Sequence, residues 1–321
     1  RDGLVVHHPL DGDISGVHAG SLAEATLENG LPHFVDGRIG AAANFDGERY
    51  ITAGTSPNLG YENEFTLSAW VFPTADTGVI FSRATEGDQG EVGWGIYLEE
   101  GKLRLNLSTR VLDDGVAAET IHSVQLNRWQ HITATYDGSK TPGGMQVYID
   151  GVSQELEGLL DLVGNRLPQR YPLRIGASGS SKPNFQGNLD DVRIYDRVLT
   201  PEEVAVLATV DSISQIARVD SADRTTAQSD KMRLSFLNQY ASPDIRAAYS
   251  EVRELERERK NMWGEFPTVM VMEEMFPRRP TYRLNRGVYD APAEEVFPGE
   301  ARGSAQAPAQ CEVRECQCGR R

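Results

Sequence analysis

Residues 65–72 read Phe-Thr-Leu-Ser-Ala-Trp-Val-Phe, an alternation of bulky and small side chains that is typical of a β-strand. Similar short runs recur up to about Ala208, each bounded by a turn signal such as Asp137-Gly138. Residues 102–107 alternate strictly between polar and apolar, as expected of a strand with one wet face. Many short strands with almost no helical periodicity predict an all-β jelly-roll sandwich of two antiparallel sheets over residues 1–208.

The character of the sequence changes at Thr200. Thr200-Pro201-Glu202-Glu203 combines an N-cap, a proline at the first helical position and an acid three residues after the cap, which predicts a short helix. Residues 209–264 then show helical spacing and interleaved charges, and we interpret them as a charged helical connector. We expect the extended start of a further domain at residues 265–299 and a partly disordered tail at residues 300–321.

The overall charge argues against two classes of main partner. The chain has 32 Lys and Arg against 47 Asp and Glu, which gives a net charge of -15. Nucleic acids and anionic membranes need a basic surface, so neither is expected as the main partner. The sequence contains no apolar stretch that approaches the roughly 18 residues of a membrane span, and no transmembrane segment is predicted.

The three cysteines are confined to the C-terminal end. Cys311, Cys316 and Cys318 follow one another with the spacing C-x4-C-x-C. The predicted sandwich therefore contains no disulfide. Because the spacing lacks a C-x-x-C pair and a following His, it predicts neither a zinc knuckle nor a haem attachment site in this segment.

An ordered set of motifs links the predicted strands to a known family. The motifs are GRIG at 37–40, NFDG at 44–47, FTLSAWV at 65–71, WQHITATYDG at 129–138, VYIDG at 147–151, LRIG at 173–176 and FQGNLDDVRIY at 185–195. In this order they resemble the laminin-G-like domains of the concanavalin A-like lectin/glucanase superfamily. The resemblance implies a two-sheet jelly roll that binds glycans or proteins and often holds a structural calcium ion.

Asp190 is the first candidate for a calcium ligand. By the two-residue period of a strand, Asp190 points to the same side as Val192 and Ile194, and a carboxylate aimed at a core needs a partner. Calcium is one such partner, since it accepts carboxylate and carbonyl oxygens. The resemblance would bring Asp11 and Asp13 near this strand. The alternative is that backbone N–H groups or an arginine satisfy Asp190.

Exposed aromatic residues at the rim of a sandwich could stack on sugar rings. Trp94, between two glycines, is the best candidate, followed by Tyr61 and Tyr171. The alternative interpretation is that Trp94 is a core residue, which is the more common place for a tryptophan in a strand. A glycosidase of the same superfamily would need two carboxylates roughly 5 Å apart, and the sequence lacks the alternating acids that supply them on a strand. We therefore expect no enzymatic activity.

A second resemblance concerns residues 267–290. PTVMVMEE at 267–274, Pro277-Arg278 and RGVYD at 286–290 resemble the entry to a domain of unknown function in large exported bacterial proteins that also carry a c-type cytochrome region. The chain is therefore interpreted as a piece of such a protein, with an extracytoplasmic location. The expected function is binding or positioning, with carbohydrate as the favoured ligand and other domains of the parent chain as neighbours. The alternatives are a glycoside hydrolase and a structural protein–protein spacer.

Overall fold

A computed structural model of the chain describes residues 2–55, 57–87, 90–110, 114–168, 171–265, 281–284 and 292–296. The chain divides into two units, Arg1–Gly264 and Glu265–Arg321. Most of the extended segment predicted at 265–299, the tail predicted at 300–321 and its three cysteines lie outside the described residues. The motif that suggested a cytochrome-bearing parent protein lies outside them as well, so that prediction stays open.

The first unit is built from strands that are divided between two sheets. In chain order the strands are β1 (Leu4–His8), β2 (Gly16–His18), β3 (Ser21–Ala23), β4 (Thr26–Glu28), β5 (Phe34–Asp36), β6 (Ala41–Asp46), β7 (Tyr50–Thr52), β8 (Phe65–Pro73), β9 (Gly78–Gly87), β10 (Gly90–Glu99), β11 (Lys102–Arg110), β12 (Asp114–Thr120), β13 (Gln130–Tyr136), β14 (Met145–Ile149), β15 (Val152–Ser153), β16 (Leu156–Leu162), β17 (Arg174–Ile175) and β18 (Gln186–Tyr195). A 3₁₀ turn, Pro142–Gly144, precedes β14.

The two sheets confirm the predicted sandwich. The first sheet has ten strands in the order β15-β14-β13-β8-β18-β1-β2-β3, with β6 also paired to β18 and β5 to β6. The second has eight strands in the order β16-β12-β11-β10-β9-β17-β7-β4. Neighbouring named strands pair antiparallel throughout, as in β8 against β13 and β18.

One apolar interior lies between the sheets. Phe65, Leu67 and Val71 of β8 contribute to it from the first sheet, and Ile96 and Leu98 of β10 contribute from the second. All five side chains are buried. Burying one such side chain stabilises a fold by about 1.5–3 kcal/mol. The shared interior therefore explains why the two sheets pack face to face.

Strand β18 departs from the regular alternation at its middle. Its register with β8 shifts between Asp190 and Arg193, and Asp191 adopts a positive φ of 54°. Val192 lies in the interior, but Asp190 pairs with Trp70, a residue outside the interior cluster. The prediction that Asp190 shares a face with Val192 is therefore wrong, because the bulge inserts a residue between them and reverses the alternation.

Helices follow the last strand of the sandwich. They are α1 (Pro201–Leu207), α2 (Ile213–Ile216), α3 (Thr226–Ser235), which continues into a π-helical turn (Phe236–Tyr240), and α4 (Pro243–Glu265). Thr200 accepts a hydrogen bond from the Glu203 backbone N–H, and the Glu203 side chain accepts one from the Thr200 backbone N–H, which confirms the predicted cap of α1. None of the helices in the described residues is both long and apolar enough to span a membrane.

The described part of the second unit is a pair of strands. Strand β19 (Thr281–Leu284) pairs antiparallel with β20 (Pro292–Val296). The Arg283 guanidinium lies 3.1 Å from the Glu294 carboxylate, and both side chains are exposed. An ion pair between two exposed side chains adds little stability, so this contact does not define the hairpin.

Candidate functional site

A tight turn between β5 and β6 is held by two carboxylates that are far apart in sequence. The Gly37 N–H donates to the Gly40 carbonyl at 2.9 Å and closes the turn. Asp190 Oδ2 accepts hydrogen bonds from the Arg38 N–H at 2.8 Å and the Ile39 N–H at 2.7 Å. Asp11 Oδ1 accepts from the Ala41 N–H at 2.7 Å. The turn therefore brings the two predicted ligands Asp11 and Asp190 to the same short backbone segment.

Glycine at position 40 allows Asp11 to come this close. Gly40 has a φ of +73°, and a Cβ atom there would lie 2.5 Å from Asp11 Oδ1. No real Cβ contact is that short, and L side chains rarely adopt this backbone conformation. The motif GRIG therefore supplies backbone N–H donors in a shape that only glycine permits at its last position.

The Asp190 carboxylate is buried with half of its hydrogen-bonding capacity unused. Asp190 has no exposed surface, and its Oδ1 has no hydrogen-bond partner among the described residues. Burial raises the pKa of Asp190 to about 6, the two backbone N–H groups lower it, and the charges of Asp191 and Asp11 raise it further. A buried oxygen of this kind favours either a proton or a cation.

Asp13 does not join the other two carboxylates. It is exposed, and its Oδ1 accepts hydrogen bonds from the Ser15 N–H at 3.2 Å and the Ser15 hydroxyl at 3.3 Å. In the described part of the chain, no group of three or more His, Cys, Asp or Glu side chains is arranged to hold a metal. Of the predicted set Asp11, Asp13 and Asp190, only Asp11 and Asp190 converge, because Asp13 caps its own turn.

The aromatic residues predicted to bind sugar are placed differently from the expectation. Trp94 is 1% exposed and packs 6.3 Å from the Phe65 ring, and Tyr61 is 4% exposed. Gly93 and Gly95 occupy the opposite face of β10, so the alternation turns Trp94 inwards. The prediction that Trp94 and Tyr61 offer a stacking surface is wrong. Tyr171 is half-buried, and its backbone carbonyl accepts a hydrogen bond from Arg83 at 2.6 Å.

Sequence reasoning missed a polar cluster on the outward face of β10. Glu91 is 3% exposed, accepts a hydrogen bond from the Ser180 hydroxyl at 3.0 Å, and has a pKa raised by burial. Tyr97 lies on the same face of the strand, and the Lys182 ammonium sits 4.9 Å from the centre of its ring. The sequence did contain a signal for this cluster. Glu91, Gly93, Gly95 and Tyr97 are spaced two residues apart, which places them on one face of the strand.

The stacked sheets and the carboxylate-held turn define a jelly-roll sandwich, and comparison with known proteins places it in a family. Residues 45–205, half of the chain, match the Laminin_G_3 family model, described as the concanavalin A-like lectin/glucanases superfamily. The chain therefore belongs to this superfamily. Asp190 falls inside the matched residues, whereas Asp11 and Gly40 precede them.

Similar proteins include one curated relative and several solved structures. The adhesion G-protein coupled receptor V1 of Danio rerio is 26% identical over 178 residues, which is 53% of this chain and 3% of that protein. The binding domain of Paraclostridial Mosquitocidal Protein 1 has 22% identity and a TM-score of 0.50, covering 64% of this chain and 52% of that one. Domain 4 of the arabinanase AbnA from Geobacillus stearothermophilus, solved with arabinotriose, has 21% identity and a TM-score of 0.45, covering 64% and 98%. These likenesses concern the fold.

Proposed function

We propose that the sandwich is a non-catalytic binding module of a larger exported protein, with carbohydrate as the favoured ligand class. The superfamily is defined by lectins as well as glucanases, and the similar mosquitocidal-toxin structure is itself a binding domain. This chain spans only about 3% of the curated relative it matches, which is consistent with one module among many. Its partners would then be a carbohydrate or protein ligand and the other domains of its parent chain.

We further propose that a calcium ion binds where Asp11 and Asp190 meet the turn at residues 37–41. The observation that carries this is the buried Asp190 Oδ1, which has no hydrogen-bond partner among the described residues. Calcium takes roughly six to eight hard oxygen ligands, so two carboxylates would be supplemented by backbone carbonyls and water. Asp190 and Asp11 would hold the ion. When bound, it would neutralise the paired carboxylates and fix the turn.

The exposed side of this turn is the proposed ligand-binding edge. Arg38 and Ile39 are exposed there, and their backbone N–H groups donate hydrogen bonds to the buried Asp190 carboxylate. The Arg38 guanidinium also lies 5.2 Å from the centre of the Trp70 ring, which fixes its direction. A turn held in this way would present its outer backbone groups without a large ordering cost when a ligand binds.

The metal is tested on the full-length chain by thermal unfolding with calcium and with chelator. A calcium concentration 100-fold above the Kd stabilises a protein by about 2.7 kcal/mol, which corresponds to a Tm shift of roughly 5–10 °C. Asp190→Asn should abolish the shift. Asp137→Asn should leave it intact, because Asp137 is an exposed turn residue on another hairpin. A wild-type Tm that changes neither with calcium nor with chelator would contradict the proposal.

The ligand class is tested with a glycan array probed in calcium and in chelator. We expect binding by the wild-type chain that is lost with chelator and in Asp190→Asn, and kept in Asp137→Asn. A chain that responds to calcium but binds no glycan would keep the metal site and overturn the carbohydrate assignment. Binding that is unchanged in Asp190→Asn would place the ligand away from this turn.

A further inference from the structure

A cleft separates the outward face of the first sheet from helices α1 to α3. Its volume is ≈ 760 Å³, and its walls include Arg193 and Tyr195 of β18, Val206 of α1 and Leu234 of α3. Sites for small molecules commonly enclose roughly 300–1,000 Å³. Ile39 of the carboxylate-held turn also lines the cleft, so the cleft borders the binding edge proposed above, whereas its helical wall is formed by other residues.

Ion pairs hold the walls of the cleft in place. Glu203 of α1 receives two hydrogen bonds from Arg197, at 2.7 Å and 2.8 Å, and lies 3.3 Å from Arg253 of α4. Arg253 also lies 3.2 Å from Asp2 at the start of the chain. Since these contacts join the sandwich to both α1 and α4, the cleft is formed before any ligand arrives.

Five aliphatic side chains line the helical wall of the cleft. Its half-buried side chains turn apolar surface towards the opening, and they are Val206, Leu207, Val210, Ile213 and Leu234. Ligand pockets are lined by such side chains with a few polar groups that fix orientation. An aliphatic wall of this kind favours a ligand with an apolar body.

The acidic side chains that line the cleft already have cationic partners. Asp191 is paired with Arg193 at 2.9 Å, and Glu203 and Asp2 are paired with Arg197 and Arg253. These carboxylates therefore contribute little free negative charge to the opening.

Lys231 is the cation of the cleft that lacks such a partner. Its ammonium donates to the Thr209 carbonyl at 2.6 Å and makes no ion pair with any residue that the structure describes. Burial lowers its pKa, which the charge of Asp211 partly reverses. Asp211 in turn accepts a hydrogen bond from Gln228 at 2.8 Å. An ammonium has three N–H donors, so two of them remain for a ligand.

We propose that this cleft binds a small amphipathic carboxylate, with Lys231 receiving the carboxylate and the aliphatic wall of α1 and α3 receiving the apolar body. Asn238 also lines the cleft, and its amide nitrogen donates a hydrogen bond to the Leu234 carbonyl at 2.7 Å. A charge-assisted hydrogen bond in a partly dry site supplies the orientation, and apolar burial supplies most of the affinity. The proposal does not depend on calcium or on glycan binding.

The first test uses the unaltered full-length chain with decanoate and decanol as probes in titration calorimetry. We expect saturable binding of one decanoate per chain and at least tenfold weaker binding of decanol, which has the same body without the charge. Amine labelling read by mass spectrometry should show Lys231 protected at saturating decanoate and Lys102, on the other sheet, unaffected. Each of three results would overturn the proposal. These are decanoate binding that does not saturate, equal affinity for decanoate and decanol, and labelling of Lys231 that is the same with and without decanoate.

Variants sharpen the test. Lys231→Met should weaken decanoate binding by about 10- to 100-fold, the usual loss for a hydrogen bond to a charged group. Lys231→Arg should retain most of the affinity, and Lys102→Met should retain all of it. If Lys231→Met does not fold, Ser235→Trp replaces it, because Ser235 lines the cleft and an indole there would fill it. A folded Ser235→Trp protein with undiminished affinity would contradict the assignment.

Discussion

Asp190 and Asp191 are consecutive buried carboxylates on one strand, and they differ in how many of their oxygens have a bonding partner. Both oxygens of Asp191 are paired, with His7 at 2.8 Å and Arg193 at 2.9 Å. Asp190 has backbone donors on one oxygen and no hydrogen-bond partner on the other among the described residues. A charge removed from water must be compensated, so the complete pair stabilises the fold, whereas the second oxygen of Asp190 needs either a proton or a cation.

The difference is also visible in how the two side chains titrate. Burial alone raises the pKa of Asp191, but the hydrogen bond from His7 and the positive charge of Arg193 outweigh it and hold that pKa below its usual range. Burial raises the pKa of Asp190 to about 6, and two backbone hydrogen bonds do not offset it. The bulge between them, with Asp191 at a φ of 54°, sends the two carboxylates to different surroundings.

The largest expected effect comes from removing the complete pair. Asp191→Ala leaves the Arg193 guanidinium and the His7 ring without their shared acceptor. Breaking a buried ion pair from one side costs about 3–5 kcal/mol, and we expect a loss in this range in urea unfolding at pH 7. His7→Ala keeps the Asp191–Arg193 contact and should cost less. An Asp191→Ala protein as stable as the wild type would show that Asp191 does not support the fold.

The sequence predicted the sandwich because its strands follow the two-residue period that a buried face requires. Val192 and Ile194 are both fully buried, and the N-cap of α1 is where the motif at Thr200 indicated. The same period failed at Asp190, because a bulge is a long-range feature of strand pairing that local spacing does not encode. Trp94 was misplaced because the glycines on either side of it reveal that large and small residues alternate. They do not reveal which face of the strand lies in the interior.

The site could be predicted only in part. Asp190 was singled out by the strand period and Asp11 through the family resemblance, but the turn that joins them depends on contacts 30 to 152 residues apart in sequence. The cleft with Lys231 was not predicted, because it exists only after the helices pack on the sheet. Helical spacing indicates which residues share a face and does not indicate what that face meets.

A second prediction compares wild type and Asp190→Asn across pH, with chelator present. The pKa of Asp190 is about 6 in the folded protein, above its ordinary value of 3.8. Between pH 3.8 and pH 6 the folded protein therefore keeps a proton on Asp190 that the unfolded chain releases. A raised carboxyl pKa therefore means that stability falls as pH rises from 4 to 7. The shift corresponds to about 3 kcal/mol.

Urea unfolding at several pH values measures this difference. Relative to Asp190→Asn, the wild type should lose about 2.4 kcal/mol of this between pH 4 and pH 7, because the variant has no carboxyl at this position. All other ionisable groups are the same in both proteins, so their contribution cancels in the difference. Saturating calcium should remove the slope by compensating the ionised form. Parallel stability curves for the two proteins in chelator would show that Asp190 is compensated by something other than a cation.

The smallest effect expected separates the carboxylate contact at the turn from ordinary backbone strain. Gly40 and Gly12 both have positive φ, at +73° and +77°, but a Cβ at Gly40 would meet Asp11 Oδ1 at 2.5 Å, whereas one at Gly12 would meet no atom within 4 Å. Gly12→Ala should cost about 1–2 kcal/mol from the left-handed conformation alone. Gly40→Ala should cost about 1–2 kcal/mol more, because Asp11 must move. It should also weaken the calcium-dependent rise in Tm, which Gly12→Ala leaves unchanged. Equal unfolding free energies and equal calcium shifts for the two variants would mean that the contact between Asp11 and the turn is not what keeps the site together.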